Sequence, residues 1–143
     1  MAYWLLKSEP DVFSWNDLVA RGAEGEPWNG VRNHTAKLNM MAMKQGDQAF
    51  FYHSQAGKEI VGVCEVIAEA YPDATDPKGV FVCVDVRAID ALPRPFTLAE
   101  AKADPALKAM SLVTSFRLSV QPVTDAEWAH ILASIGADQT ASQ

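Results

Sequence analysis

Residues 46–89 read GDQAFFYHSQAGKEIVGVCEVIAEAYPDATDPKGVFVCVDVRAI and contain three segments with the pattern of β-strands. These segments are residues 49–54, 59–70 and 79–89. The third segment alternates, and one of its faces holds Val80, Val82, Val84 and Val86. Residues 71–79, between the two long segments, are rich in turn formers and show no helical pattern. We therefore expect the two long strands to pair antiparallel.

The strands and helices follow one another in a mixed order. Residues 2–7 and 116–123 have the pattern of further strands, and we expect residues 22–30 to form a loop. The lack of a regular βα alternation argues against a Rossmann or TIM design. We expect an α+β fold with a small, curved, mixed or mostly antiparallel β-sheet or β-barrel and short helices packed around it. The mouth of such a barrel is a common place for a ligand.

Helix starts and ends are marked along the chain. Capping boxes predict three helix starts, at Ser14 with Asp17, Thr97 with Glu100, and Thr124 with Glu127. Gly22 and Gly136 are positioned to end the first and last of these helices. Residues 34–43 have the pattern of another helix, with Leu38 and Met41 on its inward face.

The composition indicates one soluble domain. The chain has 143 residues, 49% of them hydrophobic, which is enough for a core. We expect the domain to span residues 1–136, followed by a frayed tail at 137–143. Cys64 and Cys83 lie in strand patterns without metal-ligand spacing, as buried thiols of a reducing compartment do. No segment resembles a signal peptide or a membrane span, so we expect a cytoplasmic protein without membrane contact.

The charge is uneven along the chain. The net charge of −6 argues against a nonspecific binder of duplex DNA, which needs many cations facing phosphates. Residues 27–58 nevertheless carry four basic residues and one acidic residue, whereas residues 59–143 carry six basic and twelve acidic ones. A basic face suits a modest contact with a polyanion, but a mixed solvated surface explains the same pattern.

A first candidate cluster, Lys7-Ser8-Glu9, ends the first strand before Pro10. It places a cation, a hydroxyl and a carboxylate at the rim of the expected barrel. A polar turn closed by the proline is the alternative interpretation.

A second candidate cluster places a tryptophan in a polar, glycine-containing loop. Its members are Trp28, Asn29, Gly30, Val31, Arg32 and Asn33. The indole can stack on a base, the amides can read a base edge, and Arg32 can pair with phosphate or stack. Alternatively, Trp28 anchors the loop on the core and Asn33 caps the following helix.

Two further clusters lie near strand ends. Alternation places Phe51 and His53 on one face of their strand, and Tyr52 and Ser54 on the other. Arg117, Ser119 and Gln121 share one face of the last predicted strand. An isolated histidine is usually structural, and the last cluster also fits an ordinary solvent-facing strand edge.

Known catalytic patterns are missing from the sequence. It contains no P-loop, no nucleophile elbow and no zinc spacing among His34, His53 and His130. We therefore expect that the protein is not an enzyme and that it binds no metal and no cofactor.

Seven segments in a fixed order carry a resemblance to a known family. They are YWLLKSEP (3–10), WNGVRN (28–33), GDQAFFYHS (46–54), IVGVCEV (60–66), YPD with DP (71–77), VDV (84–86) and RLSVQPV (117–123) followed by Glu127-Trp128. Each is weak alone, but together they cover residues 2–135 and closely resemble the EVE domain family.

This resemblance implies a PUA-like fold, similar to the YTH domains that read methylated adenine in RNA. It implies a noncatalytic domain that binds a modified base, notably a modified cytosine such as 5-methylcytosine, in DNA or RNA. Trp28 would form one wall of the base pocket. The rim and floor would come from Lys7 and Ser8, Asn29 to Asn33, and Tyr52 to Ser54. The nucleic acid is then the expected partner, and a monomer the expected state.

Two departures from the family pattern bear on the ligand. Thr114 replaces a basic residue common in the family, which predicts a weaker phosphate contact. Phe81 replaces a common tryptophan, which predicts either a smaller aromatic surface or a repacked core.

Two other functions stay open at this point. One is a hydrolase acting on modified nucleosides or RNA, like some ASCH domains, with Lys7, Ser8, Glu9 and His53 as candidates. The other is a protein-interaction module.

Overall fold

A computed structural model describes residues 1–115 and 117–137. The strands are β1 (Tyr3–Ser8), β2 (Glu26–Pro27), β3 (Gln48–His53), β4 (Glu59–Pro72), β5 (Val82–Thr97) and β6 (Val120–Val123). The helices are α1 (Trp15–Ala20), α2 (His34–Ala42), α3 (Leu98–Ala103), α4 (Ser111–Thr114) and α5 (Asp125–Ser134). Short 3-10 turns lie at Gly22–Glu24 and Pro105–Leu107.

The described strands form one mixed sheet in the order β2-β5-β4-β3-β1-β6. β1 pairs parallel with β3, and the other neighbours pair antiparallel, including the two long strands as predicted. The fold is therefore α+β, as expected. The sheet itself stays open, because its edge strands β2 and β6 have only two and four residues and do not pair with each other.

Alternation along the central strands buries two cores, one on each face of the sheet. Trp4 and Phe51 belong to the core under α1 and α2, which we call the cleft-side core. Leu5 and Phe50 belong to the core under α3 to α5, which we call the covered core. Both free cysteines are buried, and burial raises the pKa of the Cys64 thiol to about 12.

All three predicted capping boxes are present, at Ser14, Thr97 and Thr124. Gly22 and Gly136 follow α1 and α5 in left-handed conformations, with φ of 60° and 76°, as a helix end requires. These features depend only on neighbouring residues.

The predicted inward face of α2 is wrong. Leu38 and Met41 are 64% and 53% exposed, whereas Ala36 and Met40 are buried. The Asn39 side-chain amide donates to the carbonyl of Val120 at 2.8 Å, so this side of the helix faces β6.

The bounds of three other segments also differ from the predictions. Residues 26–27, expected in a loop, pair with β5, and β5 begins at Val82 and leaves Val80 40% exposed. β6 begins at Val120, and Phe116 lies outside the described residues. Most of the predicted tail, residues 138–143, also lies outside them, while Ala137 donates to the carbonyl of Leu132 at 2.8 Å.

Within the described part of the chain, no helix is both long and apolar enough to cross a membrane.

Candidate functional site

Three strand ends meet at one edge of the sheet. The parallel strands β1 and β3 both end there, and the antiparallel β6 begins there. Two backbone hydrogen bonds of 2.9 Å join these ends. The Lys7 N–H donates to the carbonyl of Ser119, and the Ser54 N–H donates to the carbonyl of Ser8. Residues distant in sequence therefore become neighbours.

A cleft of about 950 Å³ opens at this edge, between the strand ends and the loop before α2. Ten of the thirteen predicted site residues line it: Lys7, Ser8, Trp28, Asn29, Gly30, Val31, Arg32, Ser54, Arg117 and Ser119. The structure thus gathers residues from all four predicted clusters.

The other three predicted residues do not line the cleft. Asn33 caps α2, because its side-chain oxygen accepts the N–H of Ala36 at 2.9 Å. Tyr52 points to the opposite face of the sheet and is 3% exposed in the covered core. His53 accepts the backbone N–H of Trp15 through Nε2 at 3.0 Å. The predicted pairing of Phe51 with His53 on one face is correct, since their rings lie 5.6 Å apart.

Trp28 fits both interpretations of its sequence position, as a loop anchor on the core and as a wall of the cleft. Its indole is only 7% exposed and meets the rings of Phe13 and Phe51 edge to face, at 82° and 85°. Its backbone N–H donates to the carbonyl of Val84 at 2.7 Å. The residue is therefore a loop anchor whose remaining exposed part borders the cleft.

A buried carboxylate holds the loop that follows Trp28. Asp73 accepts the N–H of Gly30 at 2.8 Å and the Arg32 guanidinium at 3.2 Å, and Thr75 donates to it through both its N–H and its hydroxyl. Burial by itself raises the pKa of Asp73, but these hydrogen bonds outweigh it and hold the pKa at about 2. The carboxylate is therefore charged and fixes the φ of +82° at Gly30.

No sequence pattern assigns a role to Asp73, although it lies in the YPD segment that carries the family resemblance. An aspartate inside a turn-rich loop is the available signal, but its partners lie 41 and 43 residues away. The cleft lining also includes Glu9 of the first candidate cluster, and residues that no pattern singled out: Val12, Phe13, Arg21, Glu26, Pro27 and Gln55.

The cleft lining is more basic than the chain as a whole. It contains four basic and two acidic residues, and Arg21 pairs with Glu26 at 3.2 Å. Half-burial lowers the pKa of Lys7, whose ammonium lies 5.6 Å from the centre of the Tyr52 ring.

The last predicted cluster differs from its predicted geometry. Arg117 and Ser119 line the cleft, but they precede β6 and do not share a strand face with Gln121. Gln121 is fully buried, and its amide donates to the carbonyls of Ser111, Ser115 and Leu118. This side chain holds the segment that carries Arg117.

Two of the four residues named for hydrolysis, Ser8 and His53, already have structural partners. The Ser8 hydroxyl donates to the carbonyl of Phe13. Burial lowers the pKa of His53, an effect that the nearby Glu59 carboxylate partly offsets, and Nε2 is occupied by the N–H of Trp15. No group of three or more His, Cys, Asp or Glu side chains within residues 1–115 and 117–137 could hold a metal ion.

The two departures from the family pattern both lie outside the cleft lining. The Thr114 hydroxyl donates to the carbonyl of Met110 within α4, at 3.3 Å. Phe81 packs next to the cleft, with the Arg32 guanidinium 5.6 Å from the centre of its ring.

Comparisons with known proteins agree with the resemblance found in the sequence. The EVE domain model matches residues 2–134. Thymocyte nuclear protein 1 of Mus musculus is 38% identical, over 92% of this chain and 72% of the mouse protein.

Solved structures extend this likeness to the fold. A protein of Rhodopseudomonas palustris solved by NMR is 59% identical, with a TM-score of 0.90 over 95% of this chain and 94% of that one. The human THYN1 protein, solved in complex with 5-methylcytosine-containing DNA, is 35% identical, with a TM-score of 0.90 over 96% and 99% of the two chains. A YTH domain of Zygosaccharomyces rouxii, 20% identical with a TM-score of 0.57, shares the fold.

Proposed function

Because this chain belongs to the EVE domain family, we propose that it is a noncatalytic nucleic-acid-binding domain whose cleft holds a modified base. A modified cytosine such as 5-methylcytosine is the leading candidate. The observation that carries the proposal is the convergence of Trp28, amide and hydroxyl groups and cations in one cleft. The human relative that was solved with 5-methylcytosine-containing DNA supports the choice of base.

The size of the cleft suits a base taken out of its stack. About 950 Å³ is near the upper end of the roughly 300–1,000 Å³ typical of ligand pockets, which leaves space for the attached sugar. A domain that reads a base on all its edges must first extrude it from the duplex, or find it in a single strand.

The chemistry of the lining suits both the faces and the edges of a base. The exposed part of Trp28 offers aromatic contact, and stacking of a base on such a ring contributes about 1–3 kcal/mol. Asn29 and Ser119 each offer a donor and an acceptor for the polar edge. A methyl group adds only about 0.8 kcal/mol of apolar contact, so selectivity requires a close fit.

The charges predict weak, salt-dependent binding. Lys7 and Arg117 belong to the lining and add positive charge at this edge of the sheet. The body of the protein is acidic, with a net charge of −6, so few phosphates can be neutralised. The base therefore has to supply much of the affinity, and each phosphate contact that does form adds to the salt dependence.

The test is a titration of the protein against short single and double strands that differ at one base. The set contains cytosine, 5-methylcytosine, 5-hydroxymethylcytosine and N6-methyladenine, each at low and moderate salt. We expect one modified strand to bind more tightly than its plain counterpart. Equal binding of all four bases contradicts the proposal, and release of a product from any strand favours the hydrolase instead.

Two tryptophan variants localise the binding. Trp28 and Trp4 are both 7% exposed in the cleft-side core, but only Trp28 borders the cleft. We expect Trp28→Leu to raise the Kd for the preferred strand about ten- to a hundredfold, because the stacking contact is lost. Trp4→Leu is the control, with an unchanged Kd and a larger loss of stability, because it also removes the hydrogen bond from the indole N–H to the buried Asp47. Equal effects of the two variants on the Kd contradict the assignment of the cleft.

A further inference from the structure

The donors of Arg32 are directed into the protein. Nη1 donates to the carbonyl of Val31 and to Asp73, both at 3.2 Å, and Nη2 donates to the hydroxyl of Thr75 at 2.9 Å. An arginine that clamps a phosphate uses these same in-plane N–H groups. Arg32 is therefore poorly placed for a bidentate phosphate contact, one of the two roles that its sequence position allowed.

The flat face of the same side chain is supported from behind. The guanidinium carbon lies 5.6 Å from the centre of the Phe81 ring, and Phe81 also packs against His34 at 5.1 Å. The backbone of Phe81 is fixed, because its N–H donates to Asp76 at 2.8 Å and its carbonyl accepts the N–H of Asp73 at 3.0 Å. Arg32 is thus held by its hydrogen bonds and lies over the Phe81 ring.

The Arg32 side chain is partly exposed and borders the cleft. Its side chain is 38% exposed, although its partner Asp73 is fully buried. Arg32 also belongs to the cleft lining, four residues after Trp28. Guanidinium planes stack on nucleic-acid bases, and the contact does not depend on which base is present.

We propose that Arg32, backed by Phe81, is a stacking platform for the base next to the one held in the cleft. This inference rests on the proposed function, because it assigns the neighbouring nucleotide of the same strand. It makes the domain a reader of a base within a polymer, with part of its affinity coming from a neighbour of any sequence.

The test compares two short single strands, each with one 5-methylcytosine. One strand has ordinary bases on both sides, and the other has abasic sites there, so that the phosphates are the same and only the neighbouring bases differ. We expect the strand with neighbouring bases to bind the wild-type protein about tenfold more tightly, the size of one stacking contact.

Two variants then remove the platform in different ways. Arg32→Lys keeps the charge but loses the plane, and Phe81→Leu removes the ring behind Arg32 without touching its hydrogen bonds. We expect both to reduce the tenfold preference to about one, where the preference is the ratio of the two Kd values measured on the same variant protein. Arg87→Lys is the matched control, since Arg87 is 43% exposed and paired edge-on with Glu65, but lies outside the cleft lining.

The outcomes separate the platform from the base pocket. Equal binding of the two strands by the wild-type protein, or a preference that survives both variants, overturns the platform. An Arg32→Gln variant that reduces the salt slope, with Arg32→Lys as tight as wild type, assigns Arg32 to phosphate and also overturns it. If the abasic strand with plain cytosine binds as well as that with 5-methylcytosine, the pocket itself fails. If neither strand binds measurably, both proposals fail.

Discussion

The two faces of the sheet pack aromatic rings in opposite ways. In the covered core, Phe50 and Trp128 stack at 3.9 Å and 18°, and Tyr3 stacks on Trp128 at 4.3 Å and 15°. In the cleft-side core, Trp28 meets Phe51 at 85°. Parallel stacking covers the faces of the rings with other rings, whereas an edge-to-face contact leaves part of a ring face for another molecule. The comparison indicates that the rings of one face are covered by one another, and the proposed function assigns binding to the other face.

The largest expected effect comes from the centre of the covered stack. Trp128 is 1% exposed, so Trp128→Ala is expected to lower the free energy of unfolding by about 3–5 kcal/mol, as measured in urea. The Kd of the folded protein for the preferred strand should stay the same, because the ring lies on the far face. A changed Kd for protein that is still folded would break the separation of the two faces.

An intermediate effect on stability is expected where β4 passes under α1. A Cβ added to Gly62 would lie 2.5 Å from the ring of Trp15, which packs against Phe51 next to Trp28. We expect Gly62→Ala to cost about 1–3 kcal/mol of stability and also to weaken binding, because a shift of Trp15 passes through Phe51 to Trp28, which borders the cleft. Val63→Ala, one residue on and in the covered core, should lower stability without changing the Kd. Weaker binding in both variants would contradict the distinction between the cleft-side core and the covered core.

The smallest effect concerns pH and the cleft side only. Burial lowers the pKa of His53 below its ordinary 6.5, so the unfolded chain binds the proton more readily than the folded one. Stability is then fully present above about pH 6.5 and is lost as the pH falls through the pKa of the folded state. We expect His53→Gln, which keeps an acceptor for the N–H of Trp15, to match the wild type at pH 8 and to lose less stability at pH 5.5. An unchanged slope would assign the pH dependence to another group.

Local features of the fold could be predicted from the sequence, and features set by distant contacts could not. The capping boxes at Ser14, Thr97 and Thr124 involve residues three apart, so the chain specifies them by itself. The inward face of α2 depends on a bond from Asn39 to β6, 81 residues away. Apolar periodicity predicts Leu38 on that face, because it takes no account of contacts between distant residues.

The same limit applies to the candidate site. Lys7, Ser8 and Trp28 were chosen by residue type and family resemblance, and the structure brings them to one cleft. Tyr52 was chosen in the same way, but the alternation of β3 sends it to the covered core. Asp73 was missed, because its role depends on Gly30 and Arg32 folding back onto it.

The position of β1 inside the sheet determines when this strand can complete its pairing during synthesis. β1 is the first strand made, and it lies between β3 and β6, the last strand. The cleft needs the end of β1 together with Arg117 and Ser119. During translation, one edge of β1 therefore stays unpaired until β6 has been made. Such a delay favours slow folding, and the unpaired edge can pair with other chains. The cleft is therefore complete only after Ser119 has been translated, late in the described part of the chain.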